Sequence, residues 1–338
     1  LASNKPDFFQ QDEIEKILKL KNQNFQNSHE KVNVLSSIYF GIGKIYEKKK
    51  NTEFENIYIE GNNIIKNFQR FNMFNLQKKI LDSINKFKEI NYKSENSLGE
   101  NIIFISGMPR TGTTLLESII ASNKNVFSGG EMVLMTNLIE DYVLKNDAPN
   151  IEGLKNIGQQ YIDRISEITR LKIFIDKMPD NFFYLGYILY ALPKAKIIHI
   201  ERDPWDNAIS LFKQRYIRNI HYSSSFFNIA LQIANHDALK EFWHSSLPSN
   251  LKTQVFSVSY EELVSNPDEM KTKIIEFCEI DEIENSSKRE NFFSRTASMS
   301  QVRGEIHQKS LKKRDFSEFY EQFQDAYNSQ KEYWNNKI

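Results

Sequence analysis

A glycine-rich segment of the sequence, GMPRTGTT at residues 107–114, has the residue types and spacing of an anion-binding loop. It follows a β-rich run and precedes an apolar run with helical spacing, so the context is strand, loop and helix. Backbone N–H groups at a helix N-terminus surround an anion, which the helix dipole also favours. The loop therefore predicts a phosphate or sulfate site. Its candidate ligands are Arg110, Thr111, Gly112, Thr113 and Thr114.

The loop departs from the pattern of P-loop kinases and nucleotide hydrolases. Thr113 stands where those enzymes have a lysine, and the cation comes earlier, at Arg110. Such an enzyme also needs a Mg²⁺-binding aspartate at the end of a strand, a role that Asp176 could imitate. A kinase or hydrolase is thus the weaker alternative. The other alternative is a plain turn between strand and helix that binds no ligand, but such a turn would not need an arginine and three hydroxyl groups.

A second anion-binding pair is indicated after the predicted strand at residues 196–200. Arg202 follows that strand, and Pro204 favours the start of a helix that carries Ser210 two turns later. Both side chains could therefore reach one phosphate group. A local pair between Arg202 and Asp203 at the helix start is the alternative. Together with the glycine loop, the pair suits a nucleotide with separate 3′- and 5′-phosphate groups.

These motifs resemble the nucleotide site of sulfotransferases that use 3′-phosphoadenosine 5′-phosphosulfate (PAPS), and the likeness covers roughly residues 100–315. The segment SGGEM at residues 128–132 is similar to the Gly-Gly-Glu motif of protein-tyrosine sulfotransferases and of bacterial sulfotransferases with helical-repeat N-termini. The resemblance implies PAPS as co-substrate, adenosine 3′,5′-bisphosphate (PAP) as its product, a hydroxyl-bearing acceptor and no metal. It also implies that Arg202 and Ser210 hold the 3′-phosphate.

The same resemblance implies catalytic roles for a carboxylate and two cations. Glu131 would be the base, since a carboxylate beside the sulfuryl group can take the acceptor's proton when partial burial raises its pKa. A glutamate that stabilises the start of a helix at residues 132–144 is the alternative. Lys177 stands where cytosolic small-molecule sulfotransferases carry a catalytic histidine. Its ammonium, together with Arg110, would stabilise charge on the departing nucleotide.

Two later segments resemble further parts of the nucleotide site. Tyr260 begins a Tyr-Glu-Glu-Leu segment that is similar to the family's Tyr-Glu-Asp-Leu, whose tyrosine faces the nucleotide. The segments at residues 296–303 and 310–313 resemble the family's C-terminal lid. They would place Ser298 near the sulfuryl group and Gln301, Arg303 and Lys313 near the nucleotide. A solvated basic helix at residues 309–314 is the alternative.

The acceptor is left open by the sequence. Protein-tyrosine sulfotransferases have an arginine two residues after Gly-Gly-Glu, where it helps to receive acidic peptides, whereas this chain has Val133. A peptide tyrosine, a carbohydrate, a lipid or a small alcohol all stay open, because substrate loops vary more than the cofactor site.

Alternating β-rich and helical segments must position these residues. Short β-rich runs at residues 102–105, 172–175, 196–200 and 255–258 alternate with helical patterns, which predicts a three-layer α/β domain with a P-loop-like parallel sheet over residues 96–338. Apolar residues with helical spacing predict a helical cap over residues 1–95, with spacing like a tetratricopeptide (TPR) repeat near Tyr39. The spacing of Phe316, Phe319, Phe323 and Tyr327 predicts an amphipathic C-terminal helix that closes the sheet or packs on the helical cap. A further alternative is a non-catalytic helical-repeat interaction protein with a degenerate α/β domain. Such a domain should have lost some of the glycine loop, Arg202, Ser210 or Glu131, and all of them are present.

Composition narrows the class of protein. Lysine plus arginine number 44, as do aspartate plus glutamate, so the chain of 338 residues lacks the basic excess of a duplex nucleic-acid binder. No apolar run approaches the roughly 18 residues of a transmembrane helix. Cys278 is the one cysteine and the six histidines are scattered, which excludes a disulfide framework and predicts no metal site. A reducing, cytoplasmic location is expected, and oligomer formation stays open.

Overall fold

The computed structural model describes residues 11–20, 24–68, 71–93, 96–216, 220–280 and 315–338. The helices in these ranges are, in chain order, α1 (Gln11–Lys19), α2 (Ser28–Lys48), α3 (Phe54–Phe68), α4 (Met73–Lys88), α5 (Thr113–Ile120), α6 (Leu134–Lys145), α7 (Ile151–Ile168), α8 (Leu185–Ala191), α9 (Pro204–Phe212), α10 (Phe226–Ser246), α11 (Ser249–Lys252), α12 (Tyr260–Ser265), α13 (Pro267–Cys278) and α14 (Tyr320–Asn335). The strands are β1 (Ile102–Ser106), β2 (Val126–Ser128), β3 (Ile173–Asp176), β4 (Lys196–Glu201) and β5 (Val255–Ser259). Short 3₁₀ helices occupy Pro179–Tyr184, His221–Ser224 and Ser317–Phe319.

The five strands form one parallel sheet in the order β2-β3-β1-β4-β5. Strand β1 lies at its centre, with Ile103 opposite Ile175 of β3 and Ile105 opposite Ile198 of β4. The predicted α/β class, the parallel sheet and four of its strands are thereby confirmed. Strand β2 was not predicted, because three residues are too few to show an alternating pattern.

Helices cover both faces of the sheet. Successive side chains of a strand point to opposite faces, so each strand contributes apolar residues to both. On one face Ile103 and Ile105 belong to a buried cluster that includes residues of α5 and α13. On the other face the ring of Phe104 lies 5.7 Å from that of Tyr161 on α7. The five residues of β1 are all buried, so the central strand is placed by apolar packing on both sides.

The chain divides into two compact units. The helical unit comprises residues 1–73, 204–234 and 312–336, and the sheet unit comprises residues 74–203, 235–311 and 337–338. The predicted domain boundary at residue 95 stays a prediction. Among the described residues, no helix combines the length and apolar character that a membrane crossing would need.

Close helix packing forms the N-terminal part of the helical unit. A Cβ atom at Gly43 of α2 would lie 3.0 Å from the Tyr58 ring of α3, and one at Gly61 would lie 3.0 Å from the Phe40 ring. The glycines therefore let α2 and α3 approach closely. This pairing supports the predicted helices in this region, whereas their relation to TPR repeats stays a prediction.

The C-terminal helix begins later than the sequence pattern predicted. Phe316 was expected inside an amphipathic helix, but its φ of 58° is left-handed, and α14 begins only at Tyr320 after a 3₁₀ turn. Phe316 and Phe323 are nevertheless both fully buried. The apolar spacing thus identified the packing residues correctly and misplaced the start of the helix.

Candidate active site

The motif residues of the sheet unit meet at the carboxyl ends of its parallel strands. The glycine loop at residues 107–112 follows β1, Glu131 follows β2, and Lys177 follows β3. Arg202 follows β4, and Tyr260 begins the helix directly after β5. Since β1 lies between β3 and β4, the loop is flanked by Lys177 on one side and Arg202 on the other. This edge is where open α/β sheets bind ligands.

The backbone conformation of the loop at residues 107–112 requires glycine at two positions. Gly107 has a φ of 148°, and a Cβ atom there would lie 2.4 Å from the Ile200 carbonyl oxygen. Gly112 has a φ of 106°, and its Cβ would lie 2.6 Å from the Tyr260 ring. Any side chain at either position would strain the backbone and collide with a neighbouring strand or ring. Arg110 is also left-handed, with a φ of 72°, although it is not a glycine.

Three predicted threonine ligands lie at the base of this loop. The Thr111 hydroxyl donates a hydrogen bond to the Met108 carbonyl oxygen at 2.7 Å, which closes the loop on itself. Thr113 and Thr114 form the buried first turn of α5. The first backbone N–H groups of a helix have no intrahelical acceptor, so this turn offers donors to an anion, and anion binding there stays a prediction.

Arg202 is held by both the glycine loop and Tyr260. Its Nη1 donates to the Arg110 carbonyl oxygen at 3.1 Å, and its guanidinium lies 4.6 Å from the centroid of the Tyr260 ring. The cation–π contact and the hydrogen bond fix the guanidinium plane at the end of β4. Ser210 lies on α9 in the helical unit, and its predicted partnership with Arg202 stays a prediction.

A lysine between two glutamates forms the other side of the site. The Lys177 ammonium donates to Glu131 Oε1 at 2.7 Å and lies 3.9 Å from Glu117 Oε2. Lys177 and Glu117 have no exposed side-chain surface, whereas the Glu131 side chain is 45% exposed. Glu131 therefore presents an accessible carboxylate, one oxygen of which is bound by the buried Lys177 ammonium. It precedes α6, which begins at Leu134 and not at the predicted residue 132.

Glu117 is a site residue that the sequence did not reveal. Its Oε1 accepts a hydrogen bond from the Ser128 hydroxyl at 2.5 Å, which ties α5 to the segment before Glu131. Burial raises the pKa of the Glu117 carboxyl, while the Lys177 ammonium and the Ser128 hydroxyl act against this rise. The available signal was an acidic residue inside an otherwise apolar helical run at residues 115–120.

Backbone contacts fix the Gly-Gly-Glu segment against β3. Gly129 N–H donates to the Ile175 carbonyl oxygen at 2.8 Å, and Lys177 N–H donates to the Gly130 carbonyl oxygen at 2.9 Å. Gly130 is left-handed, with a φ of 67°, and has open space where its Cβ would lie. The segment thus turns sharply at Gly130 and directs Glu131 to the edge of the sheet.

Asp176 is unsuited to the Mg²⁺ role of the kinase alternative. It is fully buried, and its Oδ2 accepts from the Tyr161 hydroxyl at 2.8 Å. Its Oδ1 accepts from Asn181 Nδ2 at 3.0 Å and from Met178 N–H at 3.1 Å. Burial raises the pKa of Asp176 to about 7, against the opposing effect of these donors. Both oxygens are committed to structural bonds.

A buried histidine lies beside the residue that precedes the glycine loop, and four predicted site residues lie outside the described residues. His199 is buried within β4, with its Nδ1 3.1 Å from the Ser106 hydroxyl. Burial, and then the neighbouring His236 and Lys240, lowers its pKa well below the ordinary value, so the ring is neutral. Within the described ranges no group of three or more His, Cys, Asp or Glu side chains could hold a metal. Four predicted site residues lie outside the described residues, namely Ser298, expected near the sulfuryl group, and Gln301, Arg303 and Lys313, expected near the nucleotide.

Comparison with known proteins identifies relatives of the chain. An uncharacterized protein of Aquifex aeolicus is 30% identical over 305 residues, which cover 82% of this chain and 39% of that protein. A protein-tyrosine sulfotransferase of Drosophila melanogaster is 24% identical over 193 residues, covering 53% of this chain and 38% of the relative. The chain thus spans about two fifths of the length of these two relatives.

Among solved structures, the sulfotransferase domain of the Synechococcus PCC 7002 olefin synthase is similar, with a TM-score of 0.45 and 17% identity. The similarity covers 70% of this chain and 97% of that domain. A model of the Sulfotransferase family matches residues 102–284, which contain the sheet and every described site residue. Because that match covers more than half of the chain, the chain belongs to the Sulfotransferase family.

Proposed function

We propose that this chain transfers a sulfuryl group from PAPS to a hydroxyl acceptor, with no metal taking part. The observation that carries the proposal is the arrangement around the central strand. The glycine loop lies between a fixed arginine and a buried lysine that holds an accessible carboxylate. One end of this edge suits a 3′-phosphate, and the other suits a reacting sulfuryl group with a base beside it.

The proposed reaction is a direct in-line transfer. A lone pair on the acceptor oxygen forms the new O–S bond while the bond from sulfur to the 5′-phosphate oxygen breaks. The acceptor's proton goes to Glu131, and the electron pair of the broken bond leaves with PAP. The loop amides and Arg110 stabilise the charge that develops on the departing phosphate, as a preorganised anion site does.

Glu131 suits the role of the base because of its asymmetric surroundings. Its side chain is half-exposed, so an acceptor hydroxyl can approach it. From the buried side, the Lys177 ammonium fixes one of its oxygens at 2.7 Å. We infer that Lys177 both orients Glu131 and adds positive charge next to the transferred group. A base must lie within hydrogen-bond reach of the proton it takes, and a fixed carboxylate meets that requirement.

The acceptor belongs to the proposal only as a class. A peptide tyrosine, a carbohydrate, a lipid or a small alcohol each brings the hydroxyl that the reaction needs. Val133, which is 53% exposed, stands where protein-tyrosine sulfotransferases have an arginine, so an acidic peptide lacks that partner here. A cytoplasmic location and a TPR-like origin of the N-terminal helices remain parts of the proposal.

The proposal is tested by incubating the full chain with sulfur-labelled PAPS and a panel of phenols, alcohols, sugars and tyrosine peptides in EDTA. We expect label in at least one acceptor, with equimolar release of PAP. Glu131→Gln is the matched variant, because it keeps the shape of the side chain and removes its basicity. Transfer that requires added Mg²⁺, or transfer that Glu131→Gln leaves unchanged, contradicts the proposal.

A further inference from the structure

A cavity of about 160 Å³ lies within the sheet unit, apart from the residues of the candidate active site. It is lined by α10, by Phe182 and Leu185 between β3 and β4, by His199 of β4, by the segment that leads into β5 and by Val255 and Ser257 of that strand. The active-site residue Tyr260 follows the opposite end of β5. At roughly 3.3 Å per residue, Ser257, the lining residue nearest that end, is about 7 Å from Ser259 along the strand. The lining contains no residue of the candidate active site, although His199 lies 3.1 Å from the hydroxyl of Ser106, which precedes the glycine loop.

The size and walls of the cavity suit a single aromatic ring. An apolar cavity of about 150 Å³ is large enough to bind benzene. The walls include Phe182, Leu185, Trp243 and Leu247. The indole N–H of Trp243 already donates to the Phe182 carbonyl oxygen at 3.0 Å, so the rest of the ring offers carbon surface only. An occupant would thus meet aromatic and aliphatic contacts on several sides.

The charged residues of the cavity favour an anion. The ionisable residues of its lining are His199, Lys240, His244 and Lys252, and the lining contains no carboxylate. Lys240 is neutralised by Glu201 at 2.8 Å. The Lys252 ammonium, in contrast, donates to the Ser245 carbonyl oxygen at 3.4 Å and makes no ion pair with any described residue. Lys252 is thus the cation that can receive a carboxylate at the cavity.

We propose that this cavity binds a monocyclic aromatic carboxylate, with its ring against Trp243 and its carboxylate on Lys252. The ring is buried by the hydrophobic effect, which is roughly proportional to the apolar area removed from water. The carboxylate gains a charge-assisted bond without the penalty of full burial, because Lys252 lies at partial exposure. We expect the ligand to bind independently of PAP, because the lining shares no residue with the candidate active site.

The test is a calorimetric titration of the full chain with sodium benzoate, benzyl alcohol and sodium acetate. Each titration is done with and without saturating PAP. We expect benzoate to bind at least about fivefold more tightly than benzyl alcohol, acetate to show no binding, and PAP to leave the benzoate affinity unchanged. Equal affinity for benzoate and benzyl alcohol overturns the proposal, as does loss of benzoate binding in the presence of PAP.

Three variants then locate the ligand. Lys252→Met should reduce benzoate affinity to that of benzyl alcohol and leave benzyl alcohol unaffected. Ser257→Phe, at an exposed position of the lining, should fill the cavity and abolish both. Lys172→Met is the matched control, since Lys172 is exposed and does not line the cavity. Unchanged benzoate binding in Lys252→Met overturns the assignment. If a variant does not fold, the comparison of the three ligands on the unmodified chain still decides.

Discussion

Replacing Lys177 with methionine should make the stability of the protein strongly dependent on pH. The substitution keeps the length of the side chain and removes the buried cation that faces Glu117 and Glu131. Glu131 is half-exposed and can turn its carboxylate to water, so the loss of the Lys177 ammonium costs little stability through Glu131. Glu117 has no exposed surface and would be left ionised without a cation, or would have to take up a proton.

The size of the effect follows from the protonation of Glu117. Keeping a carboxyl with an unfolded pKa of about 4.3 protonated costs about 1.4 kcal/mol per pH unit above that value, or about 4 kcal/mol at about pH 7.5 and about 1 kcal/mol at about pH 5. Burial already raises the pKa of Glu117 in the unmodified chain, so part of this penalty is present there. We therefore expect Lys177→Met to lose about 2–4 kcal/mol at about pH 7.5 and at most about 1 kcal/mol at about pH 5.

The sign of this dependence is set by proton binding. In Lys177→Met the folded Glu117 holds its proton to a higher pH than the unfolded chain does, so unfolding releases a proton. Stability is therefore highest below the unfolded pKa and falls as the pH rises through the range up to the folded pKa. In the unmodified chain the Lys177 ammonium weakens this effect by favouring the ionised form.

Urea unfolding at the two pH values measures the effect, with the double variant Glu117→Gln/Lys177→Met as the matched control. The glutamine keeps an oxygen that can accept from Ser128 and carries no charge, so the double variant should recover at least half of the loss at about pH 7.5. The reasoning is refuted if Lys177→Met loses equal stability at both pH values. It is also refuted if the double variant is no more stable than Lys177→Met.

Four further substitutions test the proposed roles. Glu131→Gln should bind PAP normally and lose roughly 10²–10⁴ in turnover, whereas His199→Asn should stay active, because His199 is buried and an acceptor hydroxyl cannot reach it; the reverse result would point to a histidine base. Arg202→Lys should weaken PAP binding about tenfold and leave AMP binding nearly unchanged, because lysine lacks the planar fork that stacks on Tyr260; calorimetry that shows equal losses for both nucleotides contradicts a 3′-phosphate contact. Arg110→Ala should lower kcat more than PAP affinity in steady-state assays, and the opposite pattern would assign it to ground-state binding.

The sheet and the glycine loop were predictable because their signals are local. The strands appear in the sequence as short β-rich runs. Gly107 and Gly112 are required by the backbone, because both have positive φ values and lie close to Ile200 and Tyr260. Strand β2 was missed because its pairing with β3 depends on long-range contacts of only three residues. Local periodicity contains no information on such a partner.

The contacts that assemble the site were less predictable than its residues. Glu117 appeared as one acidic residue in an apolar helix, and only the fold brings it to Ser128 and Lys177. The bond from Arg202 to the Arg110 carbonyl oxygen likewise joins residues 92 positions apart in the chain. Side-chain chemistry singled out the candidate residues, whereas their pairing depends on the strand order that places β1 between β3 and β4.

The most direct test of the central claim is the affinity for PAP compared with AMP and ATP, measured by calorimetry in EDTA. Charge-assisted hydrogen bonds to the 3′-phosphate are worth roughly 1.5–3 kcal/mol each, so one bond alone predicts PAP binding at least about tenfold tighter than AMP binding. PAP should bind without Mg²⁺, and ATP should bind no better than AMP. Equal affinity for PAP and AMP, or nucleotide binding that EDTA abolishes, would contradict a PAPS-dependent sulfotransferase.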